Sequence, residues 1–277
     1  MTGNPKMSYP PRFRRTMPSD QADGLRRLFA TRAARFIPIV SNPFIVHGGV
    51  LIERLCSVLE EMDLDTLLVD ASERGGPPRE LASFDLSEGV EPLSQRVSYL
   101  AARGLPVRWV DSRGSTRAFL DAVVDAAPTS QVVLVHGTAV DLVRLFGRGD
   151  EGLTRPRPVV LCDERPEAVK HAYAALKLFA QRADWLSYDL LLCAPPAAPA
   201  GEMVASRLAY CADHFLGGVQ HAVVQVDPAE PPTAAPSRAL VQLVEGLLES
   251  AAACTAHEQG PFSMQRAALP SPRQAYL

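Results

Sequence analysis

The sequence predicts an α/β protein built on a mostly parallel sheet of about seven strands with helices on both faces, preceded by a short N-terminal helix. Three observations carry that reading. Short runs rich in Val and Leu recur through the middle of the chain, the runs are continuously apolar rather than alternating, and amphipathic stretches separate most of them. A strand covered on both faces needs apolar side chains at successive positions, as a parallel sheet with crossover helices demands.

Taken in order, residues 1–19 hold Pro5, Pro10, Pro11 and Pro18 with Lys6, Arg12, Arg14 and Arg15, and read as a flexible basic arm. Residues 20–35 read as a helix. Asp20 suits the N-cap, and Leu25, Leu28 and Phe29 fall on one side at i, i+3, i+4 spacing. Gly24 inside it costs about 1 kcal/mol against Ala, so this helix is expected to firm up on docking. The α/β domain is read over 36–253. Strands are expected at 36–40, 65–70, 106–111, 131–136, 157–163, 188–194 and 221–226, with helices at 50–62, 92–103, 115–126, 166–183 and 201–215. A Pro-rich link over 228–236 leads to a last helix whose apolar face carries Leu240, Val241, Leu243, Val244, Leu247 and Leu248. Its polar face (Gln242, Glu245, Glu249) is acidic where a membrane-surface helix is basic, so it is expected to pack on the domain. Residues 254–277 show no apolar period and read as a disordered tail.

Composition narrows the function classes. Of 277 residues, 47 % are apolar and 21 % charged, enough apolar side chain for a sizeable core. Arg, Asp or Pro interrupts every apolar run well short of the roughly 20 residues that a spanning helix needs. The start has no apolar h-region of a secretory signal. Cys56, Cys162, Cys193, Cys211 and Cys254 stand far apart, which argues against a disulfide framework or zinc knuckle and for buried thiols in a reducing cytoplasm. Residues 1–36 carry eight basic side chains against Asp20 and Asp23, a balance of +6 in a chain of net charge −3, so the remainder sums to −9. Such an arm can meet an acidic protein, nucleic acid or anionic lipid. Phe13 is the lone aromatic among Arg12, Arg14 and Arg15 and no recognition motif accompanies them, so no specific nucleic-acid partner is expected.

In such a sheet the informative loops follow the carboxyl ends of strands. The first, Ser41-Asn42-Pro43-Phe44-Ile45-Val46-His47-Gly48-Gly49-Val50, stands where a phosphate-cradling G-x-x-x-x-G-K-[ST] loop would sit. Gly48-Gly49 can make a tight turn, but no lysine occurs between Lys6 and Lys170, and Ile52 and Glu53 stand where a hydroxyl would hold magnesium. His47-Gly48-Gly49 and His136-Gly137 could serve a serine hydrolase, yet the chain has no G-x-S-x-G nucleophile elbow. The histidines show no i, i+4 pairing suited to a metal, and Asp70 and Asp111, expected at strand ends, suit turn capping or the remnant of a nucleotide site.

Asp20-Gln21-Ala22-Asp23-Gly24-Leu25-Arg26-Arg27-Leu28 is the most specific string in the chain. It resembles the DQAxGLR(R)L activation motif of the flagellar number regulators of FlhG (FleN) type, members of the MinD/ParA group of deviant P-loop ATPases. Pro166-Glu167-Ala168, His171-Ala172-Tyr173 and Leu176-Lys177, and then Leu208 to Leu216, are similar to later segments of that group. The resemblance implies a MinD/ParA-like scaffold and a role in flagellum number or placement. It further implies that Asp20, Gln21, Gly24, Leu25, Arg26, Arg27, Leu28 and Phe29 dock on the signal-recognition-type GTPase FlhF and stimulate its GTP hydrolysis. Other flagellar basal-body or regulatory proteins are implied as further partners, with membrane association only indirect. Against the group's Gly-Lys-Gly-Gly-Val-Gly-Lys-Thr loop stands the lysine-free loop with His47, Gly48 and Gly49. Its Asp-x-Asp appears as Asp70-Ala71-Ser72, and the Asp of its Asp-x-x-Gly segment falls at His136. The expectation is therefore a cytoplasmic pseudo-ATPase with no cofactor, no catalytic residue and no metal. The rival is a working MinD/ParA-type ATPase with an atypical phosphate loop.

Overall fold

In the computed structural model the described residues are 33–147 and 155–255. The chain divides into two compact units, 1–31 and 32–277, and every element described belongs to the second. Its strands are β1 (Ala33–Val40), β2 (Thr66–Ala71), β3 (Val90–Pro92), β4 (Val97–Ala101), β5 (Val132–Gly137), β6 (Val159–Cys162), β7 (Ser187–Cys193), β8 (Val219–Val226) and β9 (Ala252–Thr255). The helices are α1 (Gly48–Glu61), α2 (Ala118–Ala126), α3 (Ala139–Phe146), α4 (Pro166–Ala183), α5 (Pro199–Leu216) and α6 (Arg238–Ser250).

The strands form one sheet in the order β3-β4-β2-β5-β1-β6-β7-β8, with β9 also paired to β1. Pairing is parallel except for β3 with β4 and β9 with β1. Helices flank the sheet, α1 packing on α6 and α4 on α3 and α5. The continuous apolar runs do become its centre: Phe36, Ile39, Leu67, Val69, Val132, Val133, Val159, Val160, Leu190 and Leu191 are fully buried.

Pro38 in the central strand is the feature that strand chemistry disfavours most, because a proline cannot donate to the ladder. The register explains it. Arg35 N–H donates to Gln131 C=O and Ser41 N–H to Gly137 C=O, so the odd-numbered residues of β1 donate towards β5. The even-numbered residues face the other side, where β9 partners Ala33–Phe36 and β6 partners Ile39 and Val40. Pro38 falls in the gap between those two partners, where no N–H is required.

Helix ends follow local chemistry. Ser237 Oγ accepts from Leu240 N–H at 3.2 Å to start α6, Pro166 and Pro199 open α4 and α5, and Gly217 closes α5 with φ +65°. The last helix packs on the domain as expected, burying Leu240, Leu243, Val244 and Leu247.

Several expectations are corrected. Residues 92–103 do not form a helix; Val97–Ala101 is strand β4, with Val97 and Leu100 buried and Tyr99 half-buried. Residues 106–111 are not a strand; Pro106–Trp109 is a tight helical turn anchored by Trp109, whose ring meets Phe119 edge-on at 5.1 Å. Asp111 accordingly ends no strand and caps the turn by accepting from Arg113 and Ser115 N–H, both at 2.8 Å. The N-terminal helix read to residue 35 yields at Ala33 to β1, and the rest of it, like the arm over 1–19, lies outside the described residues. The last helix stops at Ser250, and Ala252–Thr255 pairs with β1, so the domain read to 253 runs on and the tail read from 254 begins as strand; residues 256–277 lie outside the described ones. Helix α3 was not anticipated, although Thr138 and Asp141 carry its capping signature: Thr138 Oγ1 accepts from Asp141 N–H at 3.1 Å.

The Pro-rich link is also more than a tether. Arg54 of α1 is buried and donates to Ala234 C=O at 2.6 Å and Pro232 C=O at 3.4 Å, while pairing with Glu230 at 3.1 Å. Prolines leave a segment with carbonyls that no ladder uses, and these accept from the two terminal nitrogens of a guanidinium inside the fold, while its Nε has no hydrogen-bond partner.

Candidate site at the strand carboxyl ends

The loop after β1 runs from Ser41 to His47 and enters α1 at Gly48. Asn42 pins it: its buried amide donates to Leu161 C=O at 3.0 Å and Ala168 C=O at 2.9 Å, and its Oδ1 accepts from Phe44 N–H at 3.2 Å. Ser41 Oγ donates to Glu73 Oε2 at 3.1 Å, and Arg74 Nη1 donates to Ile45 C=O at 3.2 Å. The segment after β2 therefore clasps the loop from the other side.

The backbone of this loop lacks the alternation into the left-handed region that builds one kind of anion nest: none of residues 41–49 has a positive φ. A Cβ added at Gly49 would meet nothing within 4 Å, and one at Gly48 would meet Ile45 at 3.9 Å, an ordinary contact. Neither glycine is required by a turn or by close packing. His47 precedes α1 without a side-chain cap bond, and the first turn of α1 (Gly48, Gly49, Val50, Leu51) carries no basic side chain.

Asp70 and His136 come together. They are register partners on β2 and β5, and His136 Nδ1 lies 3.0 Å from Asp70 Oδ1. Ser72 N–H donates to the same oxygen at 3.1 Å, and Tyr99 Oη–H donates to Oδ2 at 3.4 Å. Gly75 closes over the carboxyl so tightly that a Cβ there would stand 3.0 Å from it. Burial pushes the Asp70 pKa up, but the hydrogen bonds from His136 and Ser72 and the charge of His136 outweigh it, and the net value falls below the ordinary one. Tyr99 moves the other way, raised by burial and by the Asp70 charge beside it. The capping reading of Asp70 is thus met in part by Ser72, while its other contacts tie three strands together.

Between α1 and the β2–β4 face lies a cavity of about 710 Å³ that includes Asp70, His136, Gly48 and Gly49 in its lining but not His47. Its carboxylates are Glu53, Glu60, Asp70 and Glu73, against Arg74 and His136 as the basic groups. Sequence reasoning missed this cavity because one wall, Val97 and Tyr99, comes from the strand read as helix. The Val-x-Tyr spacing of β-preferring residues was the available signal. Cys56 also lines it, with burial foremost and Glu60 and Glu53 next pushing its thiol up to about 12, so it is no nucleophile at neutral pH. No group of three His, Cys, Asp or Glu able to hold a metal occurs among the described residues, and none of the described helices is long and apolar enough to cross a membrane. Asp20, Gln21, Gly24, Leu25, Arg26, Arg27, Leu28 and Phe29 lie outside the described residues.

A parallel sheet of this order with flanking helices and a loop–helix unit after its central strand defines an α/β protein with a MinD/ParA-like scaffold, and similarity to solved structures agrees. MinD, a cell division protein of Aquifex aeolicus, superimposes with TM-score 0.51 at 12 % identity, over 78 % of this chain and 97 % of that one. A putative plasmid partition protein of Borrelia burgdorferi B31, bound to AMPPNP, gives 0.51 at 10 % identity over 78 % and 97 %. Cobyrinic acid a,c-diamide synthase of Mycobacterium smegmatis, with bound ADP and magnesium, gives 0.53 at 13 % identity over 78 % and 94 %. No family model matches the chain, and no curated protein matches it in sequence. At such identities the likeness defines the fold alone.

Proposed function

We propose that this chain is a cytoplasmic regulator of FlhG type, a pseudo-ATPase whose N-terminal helix docks on an FlhF-type GTPase and stimulates it, thereby setting flagellum number or placement. One observation carries the reading: the string Asp20 to Leu28 precedes a MinD-like body whose first loop has neither a lysine nor a left-handed residue. Phosphoryl transfer in a partner needs little covalent help. A polar group that orients the attacking water or steadies the phosphoryl charge suffices, and Gln21 is that group. Leu25, Leu28 and Phe29 anchor the helix in an apolar groove of the partner, with Arg26 or Arg27 paired to acidic groups on its rim. The test is GTP turnover by the cognate FlhF-type GTPase with the full chain and with Gln21→Ala. The wild type accelerates turnover and the variant loses most of the effect; equal turnover without protein, with wild type and with variant defeats the proposal.

A second reading, a MinD/ParA-type ATPase with an atypical loop, is favoured by the nucleotides bound in two of the similar structures. Calorimetry with Mg-ATP separates the two, because the first reading expects no saturable heat. Supporting that expectation are the four carboxylates around the cavity, which repel a triphosphate.

A further inference from the structure

The cavity beside α1 is more than a vacated nucleotide site. It is a cleft open to solvent on one side, where Glu53 of α1 is exposed, and its volume of about 710 Å³ is typical of sites for small organic molecules. Its walls are apolar: Ile45, Ile52, Leu68 and Val97, with the ring of Tyr99. Four carboxylates line it against two basic groups, Arg74 and His136, and His136 is spent on Asp70. Glu53 and Glu60 stand with Ser57 at i, i+4, i+7 along one stripe of α1 that lines the cavity. Glu60 accepts from Ser94 Oγ at 2.7 Å, and neither glutamate has a cationic partner among the described residues. Arg74 spends one donor on Ile45 C=O and makes no ion pair with them.

We propose that this cavity binds a small organic cation, an amine or guanidinium on an apolar body, with the body against Ile52, Leu68 and Val97 and the charge held by Glu53 and Glu60. An anion meets Glu53 and Glu60, which have no cationic partner among the described residues, and a bare metal ion finds an apolar wall and no ligand cluster among those residues. A cation with an apolar body satisfies both surfaces at once. The inference rests on the reading that the site has given up nucleotide, and it adds what the site accepts instead.

The test uses the full chain and two matched fluorescent probes, cationic dansylcadaverine and anionic dansyl-6-aminohexanoate, with Mg-ATP titrated separately by calorimetry. The cationic probe gives a saturable, blue-shifted rise in emission and the anionic probe does not. The double substitution Glu53→Gln with Glu60→Gln weakens the cationic probe about tenfold, as the loss of two partly screened attractions implies. Ser57→Trp, which fills the cavity from α1, abolishes binding; circular dichroism and the melting temperature verify that both variants fold. Equal binding of the two probes, or cationic binding untouched by both variants, overturns the proposal. Absence of cationic binding together with silence towards Mg-ATP overturns the proposal and leaves the pseudo-ATPase reading standing. Saturable heat with Mg-ATP overturns that underlying reading whatever the dansyl probes do.

Discussion

Two aspartates on the sheet, Asp70 on β2 and Asp189 on β7, each face a histidine, yet their surroundings differ. Asp189 is fully buried. Arg157 Nε donates to its Oδ2 at 3.0 Å while Arg157 Nη2 donates to Gly246 C=O at 2.9 Å, which ties β7 to the end of α6. His221 Nδ1 stands 3.3 Å from Oδ1, near enough for attraction but without hydrogen-bond geometry. The partner that matters is therefore an arginine, charged at every relevant pH. Asp70 has a histidine as its closest basic neighbour, keeps 18 % of its side chain exposed and lines a cavity. A carboxylate sealed in with a permanent cation is structure. One at a cavity wall, with three further carboxylates around the same space, adds to the acidity of that space.

The largest effect is expected where the charge is sealed. Arg157→Met strands the Asp189 carboxylate in the interior and should cost about 3–5 kcal/mol of stability, read by urea denaturation. Adding Asp189→Leu to that variant should recover much of the loss. If the single variant loses under 1 kcal/mol, the contrast between the two aspartates fails. A smaller effect is expected at the cavity. His136→Leu removes a hydrogen bond to a largely buried carboxylate and should cost about 1–2 kcal/mol.

The same pair has a pH signature. The folded Asp70 pKa lies below its ordinary value of 3.8, so the unfolded chain binds more protons near that pH. Its contribution is therefore present above the unfolded pKa and is lost as pH falls through the folded one. Denaturation midpoints measured from pH 6 downward should fall less steeply for Asp70→Asn than for the wild type; identical slopes would remove Asp70 from the acid response. The smallest effect sharpens the comparison at the loop. Gly49→Ala meets open space without a positive φ, so stability should change by no more than about 0.5 kcal/mol, or rise slightly. A loss above 2 kcal/mol would mean that the backbone does need that glycine, as a phosphate cradle does.

Much of this was legible before any coordinates. Apolar runs at 36–40, 131–136 and 188–194 read as strands because they are short, unbroken and separated by amphipathic stretches. The Pro-Glu start and 18-residue amphipathic period of α4 identified it almost to the residue. Residues 92–111 went the other way round from their local appearance: apolar residues at mixed spacing fit a helix, and Pro-Val-Arg-Trp-Val fits a strand. What reversed them was pairing of β4 with β2 and the seat of Trp109 on Phe119. For the site, the missing lysine could be counted, while the acidic cavity could not be seen until α1, β2 and β4 stood together.

The sequence by itself determined the α/β alternation, the absence of a lysine from the first loop and the presence of the Asp20 to Leu28 string. These are properties of neighbouring residues and need only covalent order and side-chain chemistry. Tertiary structure alone decided that Pro38 sits in a gap between two partners, that Arg54 donates to carbonyls some 180 residues away, and that Glu53 and Glu60 share a cavity with Asp70. Each depends on contacts between distant segments, whose energies enter only when the chain has closed upon itself.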